Sequence, residues 1–273
     1  MLINDAKSCI VDGVNLLTSY GLFLASVNQS GGANILNNHS EYDISTDKTS
    51  KSDTFNIIGR SFTEPIKFTI QLFHLDEKNI RPDELETINR VFVHGGNSYI
   101  PFQFYGDIRY SNIVYYVICD AVRVVKVNDI NGVEISLVTN SAYAHSLNKY
   151  KNTFSVVNNT QIKLIDMNGA ANKQIIPDLK ITCNSNGDLS IHNDMTNKTF
   201  EIRGCVQNEV ITVNGFTQEI TSNIRTRAQL FNEFNYVYLT LGNKFDDRKN
   251  NLTFTGIDAT ITIEYRINKL LGV

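Results

Sequence analysis

The chain has 273 residues, 42% of them hydrophobic and 19% charged, with a formal net charge of −3. This is a globular composition, long enough for one large β domain or two ordinary ones, and two is the stronger expectation. Nothing in the charge balance favours nucleic acid or an anionic membrane as a partner.

From the start of the chain, Cys9-Ile10-Val11 reads as a strand and Asp12-Gly13 as the turn after it. Val14–Val27 has the apolar length of a signal-peptide core. It follows Asp5 and Asp12 with only Lys7 as a basic residue, however, and Asn15, Thr18 and Ser19 interrupt it. The segment is therefore expected to form a pair of strands, in a soluble chain with no export signal. No run reaches the ~18 apolar residues of a membrane span, so no membrane insertion is expected. Residues 28–38 are polar and glycine-bearing, which predicts a loop. Residues 43–53 have almost no apolar content and mixed charge, and predict a long mobile loop. Such a loop is either a contact arm or tolerated slack. As an arm, it puts Asp43, Asp47, Lys48, Lys51, Asp53 and the adjoining Phe55 at an oligomer interface.

Strands are predicted at 55–62 and 66–75, with Pro65 opening the second. The segment 82–95 is the one convincing helix. Pro82 presets φ at its entry, Asp83 and Glu86 have capping-box spacing, and Leu85, Ile88 and Phe92 make one apolar stripe. Gly95-Gly96 ends it. A strand around Phe102 follows, then the continuous apolar run Ile113–Cys119, as expected of a strand covered on both faces. Residues 122–127 and 133–138 read as a hairpin with Asn131-Gly132 in its turn and a bulge near Val124–Val125.

Periodicity lapses over 141–152, which places a domain boundary near Lys149 and divides the chain into 1–148 and 149–273. Beyond it the pattern is almost purely β. Residues 180–183 and 189–191 make a second hairpin candidate around Asn186-Gly187. Strands at 199–203, 210–213 and 237–241 continue at short intervals, and 243–251 reads as a polar turn. The last strand alternates most strongly: Ile257, Ala259, Ile261, Ile263, Tyr265 and Ile267 share one face. The fold class is mainly β, an N-terminal sandwich or split-barrel domain with one helix followed by a second sandwich.

No motif carries chemistry. There is no G-x-S-x-G, Walker-type loop or H-E-x-x-H, and no enzyme, cofactor or resident metal is expected. The four cysteines, Cys9, Cys119, Cys183 and Cys205, form no C-x-x-C pair and read as small buried hydrophobes in a reducing compartment. Asp246-Asp247 and Asp76-Glu77 read as solvated turns. Asn occurs 33 times, which fits a loop-rich β protein and equally an AT-rich genome; the Asn-X-Ser/Thr sequons follow from that abundance. Carbohydrate binding is the competing function. It needs an aromatic face, and the chain has no Trp, while Tyr105, Tyr110, Tyr115 and Tyr116 fit strand packing.

The order of parts resembles one family, the distal tail proteins of long-tailed phages infecting Gram-positive bacteria. The residues that carry the likeness are Ile57-Ile58-Gly59-Arg60, the strand after Pro65, the helix ending at Gly95-Gly96, Ile100-Pro101-Phe102 leading to Tyr115-Tyr116-Val117, and Thr260–Arg266. The resemblance implies a galectin-like second domain. It also implies a structural tail-tip subunit, a hexameric ring of copies joining the tail tube of major tail protein to the tail-associated lysin and receptor-binding proteins. The protein is then a virion component made in the host cytoplasm. The galectin sugar signature, a histidine–arginine motif with a tryptophan, is absent, and His192-Asn193 with Arg203 does not reproduce it.

Overall fold

The structure, a computed structural model, describes residues 6–29, 42–48, 55–62, 64–94, 96, 98–127, 129–165, 174–242 and 249–269. The chain divides into two compact units, Met1–Leu147 with Lys269–Val273 and Asn148–Asn268.

In the first unit, β1 (Ser8–Val11) turns at Asp12-Gly13 into β2 (Val14–Asn15), and both turn residues have positive φ, 47° and 81°. Next come α1 (Leu16–Tyr20), β3 (Leu22–Gln29), β4 (Tyr42–Lys48), β5 (Phe55–Phe62) and β6 (Lys67–His74). They are followed by α2 (Pro82–Val93), β7 (Ile100–Tyr105), β8 (Ile113–Val127), β9 (Ile130–Thr139) and β10 (Ala144–Ser146). One antiparallel sheet runs β2-β1-β7-β8-β9-β6-β3, with β10 against the start of β8. The pair of strands expected over 14–27 is interrupted by α1, because Asn15 caps a single turn by accepting from the Leu17 and Thr18 N–H groups.

Helix α2 starts where Pro82 places it, one residue ahead of the expected cap. The Asp83–Glu86 capping box does not form. Instead the Glu84 carboxylate reaches back to the Arg81 N–H at 2.8 Å, while Glu86 pairs with Arg90 on the exposed face. The stripe is buried as expected: Ile88 and Phe92 are each 2% exposed and Leu85 packs against the same core. Burying Ile88 and Phe92 contributes roughly 1.5–3 kcal/mol apiece. The last helical residue is Val93; Gly95 lies outside the described residues, and Gly96 has φ 56°.

The core of this unit centres on Phe68, Phe102, Phe104, Tyr110 and Tyr115. Phe102 and Phe104 meet edge-on at 5.0 Å, a favoured aromatic geometry. Tyr110 and Tyr115 are thus core residues rather than a sugar platform. The hairpin of β8 and β9 is present, but its turn lies elsewhere than expected. Val127 pairs with Ile130, so Asn131-Gly132 lies within β9 and not in the turn. Gly132 is required for a different reason: a Cβ there would stand 2.5 Å from the Phe73 ring. The bulge falls between Cys119 and Ala121, not at Val124–Val125.

The second unit contains β11 (Tyr150–Val156), β12 (Thr160–Ile165), β13 (Gln174–Ile175), β14 (Asp178–Cys183), β15 (Gly187–Asn193) and β16 (Lys198–Cys205). It continues with β17 (Val210–Val213), β18 (Ile220–Ser222), α3 (Arg227–Glu233), β19 (Leu241–Gly242), β20 (Lys249–Gly256) and β21 (Ala259–Tyr265). A five-stranded sheet, β11-β21-β14-β17-β18, and a four-stranded sheet, β12-β20-β15-β16, share one hydrophobic core. Every second residue from Ile257 to Ile267 is at most 5% exposed, so the strongest alternation in the sequence lines this core.

Four expectations are corrected here. β14 and β15 are not a hairpin, because they belong to different sheets; the Asn184 N–H turns to the Asp258 carbonyl instead. Residues 237–240 form no strand. Their polar groups go to side chains: Asn235 Oδ1 accepts from the Val237 N–H, and buried Asn193 donates to the Thr240 carbonyl at 2.7 Å. The lapse of pattern over 141–152 hides the start of β11, and the polar stretch ending at Asn251 includes the start of β20; residues 243–248 lie outside the described residues.

Candidate functional site

The proposed interface segment is a hairpin. β4 and β5 pair antiparallel from Tyr42↔Phe62 to Lys48↔Phe55, with a register shift between Ser45 and Thr46. The expected loop over 43–53 is therefore strand as far as Lys48, because a strand-forming partner overrides a polar composition. Asp43 pairs with Ser61, Asp47 with Asn56 and Lys48 with Phe55, so four of the six interface candidates fall on one ribbon. Lys51 and Asp53 lie outside the described residues. The two strands form a sheet of their own and pair with no other described strand. Seven or eight residues at ~3.4 Å each make a ribbon on the order of 25 Å long.

In the second unit, a shallow polar basin of about 390 Å³ lies on the five-stranded sheet, lined among others by Asp178, Lys180, Thr212, Thr221, Thr262 and Glu264. No aromatic ring lines it. His192, Asn193 and Arg203 do not converge on a ligand position. His192 meets Thr199 and Asp194, Arg203 meets Glu201, and Asn193 is fully buried, where it bridges Thr240 and Asn250.

A further cluster escaped the sequence reading. Glu209 and Arg225 form a buried ion pair, Nε to Oε1 at 2.7 Å, with side chains 0% and 9% exposed. Ser222 Oγ also donates to Glu209 Oε1, and the Val206 N–H donates to Oε2 at 3.1 Å. Arg225 Nη1 donates to the Arg203 carbonyl at 2.7 Å, and Nη2 lies 3.8 Å from Cys205 Sγ. Burial pushes the Glu209 carboxyl up, but the hydrogen bonds from Arg225, Ser222 and Val206 together hold it below the usual carboxylate range. Cys183 and Cys205 complete the cluster, the one group of potential metal-ligating atoms among the described residues. No local spacing announced it, because its members come from three separate segments, around Cys183, Cys205–Glu209 and Ser222–Arg225.

Comparison with known proteins follows the same division into two units. Residues 4–141 match the family described as the phage tail protein N-terminal domain, and residues 143–265 match the phage tail C-terminal domain. The chain belongs to this phage tail protein family. Its fold is Dit-like: the crystal structure of the SPP1 Dit protein, described as a paradigm of the hub adsorption apparatus in phages infecting Gram-positive hosts, superposes with a TM-score of 0.65. That match covers 95% of this chain and 98% of the Dit chain at 9% identity. A chain of the phage P2 baseplate, in its activated conformation with Ca, gives a TM-score of 0.50 at 10% identity, covering 94% and 97% of the two chains. No curated protein sequence matches the tail protein. As a phage tail protein it is a virion component. Among its described residues no helix is long and apolar enough to cross a membrane.

Proposed function

We propose that this tail protein is a non-enzymatic hub subunit at the tail tip. Its copies close a ring, hexameric by the resemblance to distal tail proteins, which joins the tail tube to the tail-associated lysin and the receptor-binding apparatus. The observation that carries this reading is the β4–β5 ribbon. A lone two-stranded hairpin is marginal in water and carries two unpaired backbone edges. Pairing those edges with a neighbouring copy satisfies the backbone, and closed symmetry leaves no edge exposed. Asp43, Asp47, Lys48 and Phe55 then lie at the contact between protomers.

The test is the mass of the purified protein in solution, together with electron micrographs of the same sample. A ring with a central hole is expected, and a chain excised of residues 42–62 should stay folded while losing the ring. A strictly monomeric species at high concentration overturns the proposal. The competing reading is a cell-wall carbohydrate module acting through residues 149–273. Its stacking chemistry would have to be met at a basin that no aromatic ring lines. Specific glycan binding abolished by substitutions in that basin would promote it.

A further inference from the structure

Cys183 ends β14 in the five-stranded sheet, and Cys205 ends β16 in the four-stranded sheet. The two thiols thus come from opposite sheets of one unit, are 0% and 2% exposed, and lie with their sulfur atoms within 4.8 Å of each other. Both are free thiols.

Their surroundings argue for thiol chemistry over metal binding. The third candidate ligand, Glu209, has both oxygens engaged: Oε1 by Arg225 and Ser222, Oε2 by the Val206 N–H. The Arg225 guanidinium lies against Cys205 Sγ, so a fixed positive charge already stands beside that sulfur. A divalent cation would have to displace it and break a buried ion pair. The same charge suits a nucleophilic thiolate. The Cys183 hydrogen bond and Arg225 lower the Cys205 thiol against burial and the nearby Glu209 carboxylate, whereas the contact with Cys205, burial and Glu209 raise Cys183. One sulfur is poised to attack and the other to resolve.

We propose that Cys183 and Cys205 are a peroxide-responsive thiol pair that closes to a disulfide and ties the two sheets of the second unit together. The Cys205 thiolate attacks one oxygen of hydrogen peroxide; an S–O bond forms, the O–O bond breaks, and hydroxide leaves. Cys183 sulfur then attacks Cys205 sulfur, forming the S–S bond as the S–O bond breaks. The Cys183 proton and the one released when Cys205 ionised convert the two oxygens to water. Two thiols are oxidised by two electrons, and one peroxide is reduced to two waters. A water-sized oxidant suits sulfurs this deeply buried, whereas a bulky disulfide such as oxidised glutathione must wait for the unit to open.

The experiment treats the full-length protein with hydrogen peroxide and, separately, with oxidised glutathione, then alkylates the remaining thiols. Before alkylation, intact mass should fall by two hydrogen atoms, and peptide mapping of the alkylated protein should join Cys183 to Cys205. The melting temperature should rise on the order of 10 °C, as a disulfide closing a short loop in a domain of this size does. Cys183→Ala should stop at an oxidised, unlinked Cys205, Cys9→Ser should link normally, and Arg225→Lys should slow the reaction at least several-fold. Should the buried variants fail to fold, the peptide map of the unaltered protein decides alone. Over-oxidation without a cross-link, linkage through other cysteines, faster reaction with oxidised glutathione, or stoichiometric zinc retained in native mass spectra would each overturn the proposal.

Discussion

Replacing Arg225 by Met removes one partner of a buried ion pair and leaves Glu209 fully enclosed. Two charge-assisted contacts disappear, the 2.7 Å bond to Glu209 and the 2.7 Å bond to the Arg203 carbonyl. The Ser222 hydroxyl and the Val206 N–H remain on the carboxylate, so it keeps hydrogen bonds but loses its countercharge. Breaking such a pair from one side costs about 3–5 kcal/mol, a large share of the stability of one domain. The pH dependence distinguishes this cause from lost packing. In the native protein the Glu209 carboxyl is depressed below its ordinary 4.5, so its contribution is present above that pH and lost as pH falls through the folded value. Without Arg225, burial dominates and the carboxyl rises above 4.5, so protonation relieves the variant. Urea unfolding of the full-length variant should show a deficit of several kcal/mol at pH 7 that shrinks as pH approaches about 4. Glu209→Gln in the Arg225→Met background should recover part of the loss at pH 7. An equal deficit at both pH values, or one below about 1 kcal/mol at pH 7, would falsify the electrostatic account.

Three further outcomes follow from particular contacts. Gly256→Ala places a Cβ 1.8 Å from the Asp188 carbonyl oxygen at φ +101°, where the backbone cannot yield. Thermal unfolding should show a loss of about 3 kcal/mol or more, and an unchanged melting temperature would contradict the close approach. On α2, Ile88→Ala should cost about 2–4 kcal/mol in denaturant titration and Glu86→Ala no more than about 0.5 kcal/mol; equal effects would mean the stripe is misplaced. His94 Nε2 donates to Asp12 Oδ2 at 2.9 Å, and that contact raises its midpoint above 6.5. The resulting stability is present below about pH 6.5 and lost as pH rises through the raised value. An NMR titration should show the His94 midpoint falling in Asp12→Asn and would refute the pairing if it did not move.

Much of the fold was readable where one physical requirement dominates a segment. The two faces of Ile257–Ile267, the stripe of α2 and the Asp12-Gly13 turn each follow from local periodicity or local φ. The errors share a different origin. Asn131-Gly132 carries the residues of a turn, yet Gly132 is needed because the Phe73 ring passes 2.5 Å from where a Cβ would sit, a neighbour far away in sequence. Helix α3 is short, but its signature was present: Thr226 and Gln229 cap each other reciprocally. Residues 43–48 were disguised because their polar composition hides a strand that forms only by pairing with β5. The Cys183–Cys205–Glu209–Arg225 cluster was illegible for the plainest reason, since its three segments are brought together only by the tertiary fold.

The position of β21 has a consequence for how the second unit is made. This strand lies inside the five-stranded sheet, between β11 and β14, and pairs Tyr150 with Tyr265 and Lys151 with Glu264. The first strand of the unit therefore waits on the ribosome, without its partner, until the last has been synthesised. Loop closure across more than a hundred residues makes this a slow, high-contact-order fold, of the ms–s kind. A chain broken off before Tyr265 lacks the strand that joins β11 to β14 and cannot complete the sheet.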